Sequence, residues 1–410
     1  MSDKPTIDFN HHTPEYSKNW RQMIADFHQR DKPLAWTEAH DGFWVLADHA
    51  ACVEVLSNWR VFTSYNDLEG TGNGGQGQMI PRFPYRLDLG ESDPPLHTER
   101  RSIETPFFTP KLIRRWGQMA QEHVDEQIDL VIEKGELDLI KDVCMATAAR
   151  TTLRLVGYEG DWEEAADAAH KMSFLSPADP NYPYQQLERM RVGFRSQLLS
   201  RRAAPVGDVI SALATGTVEG RPMTDAEGES MLNALVLGGF DTTTSTSASV
   251  YLWLQRHKEH IPRFLEDAKF RRNLVEEVLR CYGPSSGMSR TAVEDTVLLG
   301  QTIKKGERVF CWFHAANHDP KVFVDPNKQD PERANADLHL TFSAGEHRCL
   351  GSQLAKIEVE IIVCTLLRRL PDMEVTNVVR YAHIGAILGY QTISARFTPG
   401  KPLQPLSQAA

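Results

Sequence analysis

FSAGEHRCLG, residues 342–351, is the stretch from which the rest of this chain can be read. Beyond it, Leu350, Leu354, Ile357 and Ile361 recur at helical spacing, so Cys349 falls at or just before a helix N-terminus. The positive helix end and its free N–H groups lower a thiol pKa there and favour the thiolate. Gly345 and Gly351 allow the backbone to approach a sulfur or a flat ligand closely, and His347 adds a cationic donor. A thiolate held in this way is suited to ligate a metal through one bond. Cys52, Cys144, Cys281, Cys311 and Cys364 lack such flanks and read as small buried hydrophobes.

The composition around that loop is globular: 410 residues, 41% hydrophobic and 24% charged. Lys and Arg number 45 against 55 Asp and Glu, and the formal charge of −10 argues against nucleic acid or an anionic membrane as the main partner. Six cysteines without a C-x-x-C pair exclude a disulfide framework and a zinc ribbon, and suit a reducing compartment. The N-terminus has no apolar core of a signal peptide, and no apolar run approaches the ~18 residues of a membrane span, so the chain reads as cytoplasmic.

Most of the chain reads helical, with Pro and Gly as punctuation. Residues 116–134 carry Met119, Val124, Ile128, Val131 and Ile132 near a helical period, and Gly135 follows as a stop. Residues 224–255 predict one long, largely apolar helix, opened by Thr224 and Glu227 at capping-box spacing and buried at the centre of the protein. Strand-like pieces are short: 43–46, 296–299 and 308–312. The fold class is mainly α with small β-sheets. The glycine-rich stretch 70–77 (GTGNGGQG), followed by Met79, Ile80, Phe83 and Tyr85, reads as a surface loop or as a lid over an apolar pocket. Residues 315–340 read as an irregular segment wrapped on the core.

Other positions break local rules. Gly238 and Gly239 sit inside the long helix at about 1 kcal/mol each relative to alanine, followed by Asp241 and Thr242, poor residues for an apolar helix. The departure marks either a kink with a back-bonded Thr or a functional site. In DPPLHTERR, His97 and Arg101 share a helix face, as a solvated basic end or as paired donors for anionic groups. Glu277 and Arg280 are spaced as an ordinary i,i+3 ion pair.

These segments together resemble the cytochrome P-450 family, the haem-thiolate monooxygenases. Its signature, F-x-x-G-x-(H/R)-x-C-x-G, is met at Phe342, Gly345, His347, Cys349 and Gly351, with Ser343 where members usually carry glycine. The resemblance implies a single domain over residues 1–410, with a smaller β-containing N-terminal part. Haem b would lie between the long distal helix and the Cys-loop helix, and Cys349 would be its axial ligand. It further implies that His97, Arg101, Arg290 and His347 hold the propionates, and that Gly238 and Gly239 form a groove for dioxygen. Asp241 and Thr242 would deliver protons, while Thr243 and Thr244 face helix packing. Glu277, Arg280 and Arg333 would form a structural network.

By family position the substrate pocket takes Met79, Ile80, Phe83, Phe174, Leu235, Met288, Ile387 and Leu388, with further residues from 384–390. The implied reaction is hydroxylation of a hydrophobic small molecule (terpenoid, steroid, fatty or aromatic) by a monomer. No flavin or nicotinamide motif is evident, so the electrons would come from an iron–sulfur ferredoxin and its reductase, docking on Arg114, Arg115, Arg348 and Lys356. Alternatives are a haem-thiolate peroxygenase, a rearrangement or coupling enzyme, and a non-catalytic haem ligand sensor.

Overall fold

The computed structural model describes residues 4–66, 75–83, 86–175, 179–381 and 387–403. Residues 70–74 of the expected lid, Tyr85 and residues 384–386 therefore lie outside the described residues.

The helix expected at 116–134 runs over Pro110–Val131, opening earlier because Pro110 occupies its first turn. The long helix expected at 224–255 is two helices, Asp225–Gly239 and Asp241–Arg256, broken at Phe240 (φ −90°, ψ −73°). Its N-terminus forms the expected capping box: the Glu227 N–H donates to Thr224 Oγ1 at 3.2 Å, and the Thr224 N–H donates to Glu227 Oε2 at 2.9 Å. Arg100 adds a buried ion pair to the same carboxylate at 2.8 Å. Ala248, Val250, Tyr251, Trp253 and Leu254 are buried against Ile362, Val363 and Leu366 of the helix Ser352–Arg369, which places the broken helix at the centre.

A five-stranded sheet runs in the order Leu34–Thr37, Phe43–Leu46, Arg308–Trp312, Gly287–Ala292, Phe62–Thr63. Strand Arg308–Trp312 pairs parallel with Phe43–Leu46 and antiparallel with Gly287–Ala292. Two of the three inner strands, Phe43–Leu46 and Arg308–Trp312, alternate between two cores, Trp44, Leu46, Val309 and Cys311 on one side and Phe43, Val45, Phe310 and Trp312 on the other. Both faces being covered explains their continuous apolar sequence. The piece expected at 296–299 is strand Thr296–Leu298, hairpinned to Gln301–Ile303.

Glu277 and Arg280 are not a surface pair. Arg280 Nε and Nη2 donate to Glu277 at 2.8 Å each, Arg333 Nε donates at 3.1 Å, and all three side chains are buried. Arg280 and Arg333 also cap carbonyls of Asn317, Pro326 and Val324, so this ion triad holds the irregular 315–340 segment. Among the described residues, no helix is long and apolar enough to cross a membrane.

Candidate haem site

The helix Ser352–Arg369 and the broken central helix enclose a cavity of about 350 Å³. Cys349 opens onto it from one side, with Gly238, Gly239 and Thr242 on the other, while Met79, Phe83, Leu235, Met288 and Ile387 make its wall apolar. The loop carrying the sulfur is tightly specified. Its Cys349 N–H donates to Phe342 O at 2.9 Å, and Ser343 and Gly345 adopt φ of +60° and +66°. A Cβ on Gly345 would stand 2.7 Å from Ser57 Cα, so this glycine lets the loop approach helix His49–Ser57; it is not on the cavity wall. Gly351 does line the cavity. Gly238 faces open space, and a side chain on Gly239 would collide with Thr152, so the glycine pair divides into a cavity face and a helix contact.

Cys349 alone of the six cysteines has an open side chain, facing the cavity rather than bulk water, and the other five are buried as expected. The expected acidic thiol is corrected: burial pushes the Cys349 thiol up, against the pull of the Gly351 N–H, Arg101, Arg348 and the Ser352 N–H. These groups soften the cost of a thiolate, but a cation bound to sulfur is needed to fix it.

At one end of the cavity lie His97 and His347, with ring centroids 4.2 Å apart. Both nitrogens of the buried His97 lack a partner, and so does Nη2 of Arg290, whose Nη1 donates to Ser289 O at 2.9 Å. Arg290 stands off the cavity wall; Arg101 is on it, with Nη2 donating to Arg348 O at 2.8 Å. Arg100, one residue away, turns instead to Asp88 and Glu227. Burial and then Arg101 push His97 down to about 4, and burial with Arg290 and His97 pushes His347 down, so both rings are neutral and His347 is not the cation expected. Buried, unpaired donors beside two guanidinium groups form a site lacking an anion.

The acid–alcohol pair opens the second helix just after the break at Phe240, and its two side chains diverge. Thr242 lines the cavity and its hydroxyl donates to Gly238 O at 2.7 Å. Asp241 is 1% exposed and does not line the cavity. Its Oδ1 lies 2.6 Å from His170 Nδ1, and its Oδ2 accepts from Ser173 Oγ at 2.6 Å. Thr244 packs in the helix, bonding Phe240 O at 2.9 Å, but Thr243 lines the cavity, contrary to expectation.

Three pocket assignments fail. Ile80 and Leu388 pack in the core around Phe9, Phe43 and Phe310, and Phe174 stacks on Tyr381 at 4.0 Å. Sequence reasoning also missed Glu358, a buried carboxyl on the cavity wall that burial pushes up to about 8. Of the four expected docking cations, Lys356 is tied to Glu276 at 2.7 Å, whereas Arg114, Arg115 and Arg348 are exposed.

Residues 185–371 match the family model for cytochrome P-450. The chain is similar to a steroid C26-monooxygenase of Mycolicibacterium smegmatis, 30% identical over 375 residues that cover 88% of this chain and 90% of the relative. It is 26% identical to a linalool 8-monooxygenase of Pseudomonas putida over 390 residues, 90% of this chain and 94% of that one. A Mycobacterium marinum cytochrome P-450 in complex with pseudoionone has the same fold, with a TM-score of 0.86 at 24% identity, covering 97% of this chain and 100% of that chain. Haem b, the cofactor of these enzymes, suits what the site presents: a sulfur needing a cation, an apolar slot, and orphaned donors for carboxylates at one end. Loop, slot and relatives agree that this monooxygenase chain belongs to the cytochrome P-450 family.

Proposed function

We propose that the chain hydroxylates an apolar molecule of the terpenoid or steroid class, with dioxygen and two electrons from an iron–sulfur ferredoxin. One observation carries this reading: Cys349 and Thr242 open onto the same cavity, whose wall also carries Met79, Phe83, Leu235, Leu237, Met288 and Ile387. The names of the relatives, a steroid and a linalool monooxygenase, support the substrate class. Methionines such as Met79, Met172 and Met288 make such a wall adaptable.

Haem, when bound, supplies dioxygen activation and transfer of one oxygen atom. In this reading Cys349 would hold its iron as a thiolate, and His97, Arg101, His347 and Arg290 would hold the propionates through charge-assisted hydrogen bonds. Gly238 leaves room on the distal side, and Thr242, by releasing Gly238 O, holds a proton at its hydroxyl. Asp241 is the proton source behind it. The apolar wall excludes water from the reacting centre. Exposed Arg114, Arg115 and Arg348 suit an acidic ferredoxin. One domain over residues 1–410 is supported by the five-stranded sheet, which joins Leu34–Thr37 to Arg308–Trp312. A reducing, cytoplasmic compartment is supported by six unpaired cysteines.

The test is an optical titration of the haem-loaded protein with linalool, pseudoionone and corticosterone, followed by turnover with a surrogate ferredoxin and reductase. Loss of the iron-bound water and a mono-hydroxylated product are expected for at least one compound. Absence of both with all of them would overturn the substrate class.

A further inference from the structure

The helix Trp162–Phe174 brings against Asp241 two residues for which the reaction above has no use, His170 off the cavity and Ser173 on its wall. His170 and Ser173 share one face and together hold both oxygens of Asp241, each at 2.6 Å. The outer nitrogen of the ring, Nε2, is 2.6 Å from the hydroxyl of Tyr381, whose own ring stacks on Phe174 at 4.0 Å. The Asp241 side chain is 1% exposed and that of His170 15% exposed. A carboxylate, an imidazole and a phenol thus lead from the helix break toward the surface, away from the substrate cavity.

We propose that His170 is the positioning and relay residue through which Asp241 exchanges protons with solvent, with Tyr381 orienting its ring. This rests on Asp241 being the proton source for the distal groove. The groups facing the ring are Asp241 from the central helix, Asp167 from its own helix, Asp138 from strand Glu136–Asp138, and the Tyr381 phenol. Lys171 is engaged by Asp167 at 2.7 Å. Burial opposes a charged ring, but Asp241, through its charge and its hydrogen bond, with Asp167 and Asp138 outweighs it and raises its pKa above the ordinary value.

The step balances as a proton transfer alone. After Asp241 has passed a proton inward, the Nδ1–H bond of His170 breaks and an O–H bond forms at Oδ1. The neutral ring is then no longer held by an ion pair. It turns its bare Nδ1 to water, takes up a proton and re-forms the contact. One proton has moved from solvent to Asp241, and no electrons have changed hands.

The experiment uses haem-loaded enzyme and needs no substrate. The His170 ring is titrated by NMR in histidine-labelled protein, with His170→Gln assigning the signal. Its pKa is expected above the ordinary ~6.5 and to fall in Asp241→Asn. In parallel, dioxygen consumption driven by NADH through a surrogate ferredoxin and reductase, corrected for the rate without enzyme, is followed in light and heavy water between about pH 5 and 8. The wild-type rate should fall as pH rises through the ring pKa. In His170→Gln, which can still donate a hydrogen bond to Asp241 but does not titrate, the profile should flatten, the rate drop about tenfold and the solvent isotope effect change. His170→Asn should behave alike, and Tyr381→Phe should keep the profile with a moved midpoint. If both His170 variants retain the wild-type profile and isotope effect while Asp241→Asn is slow, the relay is wrong. If Asp241→Asn is itself unaffected, the proton-source reading falls, and the relay with it.

Discussion

The rings of His97 and His347 lie 4.2 Å apart at the end of the cavity, and His97 bonds to no protein group through either nitrogen. Two neutral imidazoles beside Arg101 and Arg290 are an arrangement completed only by an incoming anion. His97→Phe removes one donor while filling the same space. A charge-assisted hydrogen bond contributes about 1.5–3 kcal/mol, so haem loss to an apoglobin trap should accelerate roughly ten- to hundredfold. An unchanged rate would show that the ring does not bind a propionate.

Thr242 holds its hydroxyl on Gly238 O at 2.7 Å, a bond made by any back-bonded helical Thr and useful only if it can be given up. Thr242→Ala should leave haem binding and electron consumption near wild type. Product per electron should fall about tenfold, with hydrogen peroxide making up the balance. Unchanged coupling would remove Thr242 from proton delivery.

Glu277 accepts from both Arg280 and Arg333 inside the protein. Removing the shared carboxylate leaves two buried guanidinium groups uncompensated, a loss of about 3–5 kcal/mol. Urea unfolding of Glu277→Ala should show a loss of that size. A change below about 1 kcal/mol would mean that water compensates the triad.

Ser343 occupies the left-handed region at φ +60°. That conformation costs a non-glycine residue about 1–2 kcal/mol, while glycine adds about 0.5–1 kcal/mol of unfolded-state entropy. Ser343→Gly should therefore stabilise by up to about 1 kcal/mol, read as a small rise in Tm. A fall would show that the buried Ser343 hydroxyl, which has no partner, is bound in the loaded enzyme.

Glu104 is fully buried with both oxygens unpartnered, and burial pushes it up to about 8. At low pH folded and unfolded chains both carry the proton. As pH rises past the ordinary ~4.3 the unfolded chain releases it and the folded one does not, so stability falls up to about pH 8 and then levels. Glu104→Gln should flatten the decline between about pH 5 and 8 by a few kcal/mol, measured as unfolding free energy in urea. An identical slope in the variant would assign the carboxyl a partner.

What could be read in advance was local. The Cys loop, the Thr224–Glu227 capping box and strands Phe43–Leu46 and Arg308–Trp312 depend on neighbours in sequence, and each forms where expected. The kink was signalled by Gly238, Gly239, Asp241 and Thr242, and Thr242 does bond back to Gly238 O; that it divides one helix into two at Phe240 was not, and the closeness of Thr152 to Gly239, a contact between helices, lies beyond sequence spacing. Met79 lines the cavity and Ile80 the core, although both are apolar and adjacent: hydrophobicity marks burial, while the turn of the backbone decides which interior a side chain enters. His170 and Ser173 carried an i,i+3 signal that acquires meaning only with Asp241, far along the chain. The thiol pKa was misjudged because burial opposes the helix end.

The sulfur of Cys349 as axial ligand is the central claim, and the carbon-monoxide spectrum of the reduced, haem-loaded protein tests it most directly. Native protein should hold one haem per chain and give the thiolate-type Soret band, converted in Cys349→His to the imidazole type. An imidazole-type band in fully native wild-type protein, or no stoichiometric haem, would contradict it.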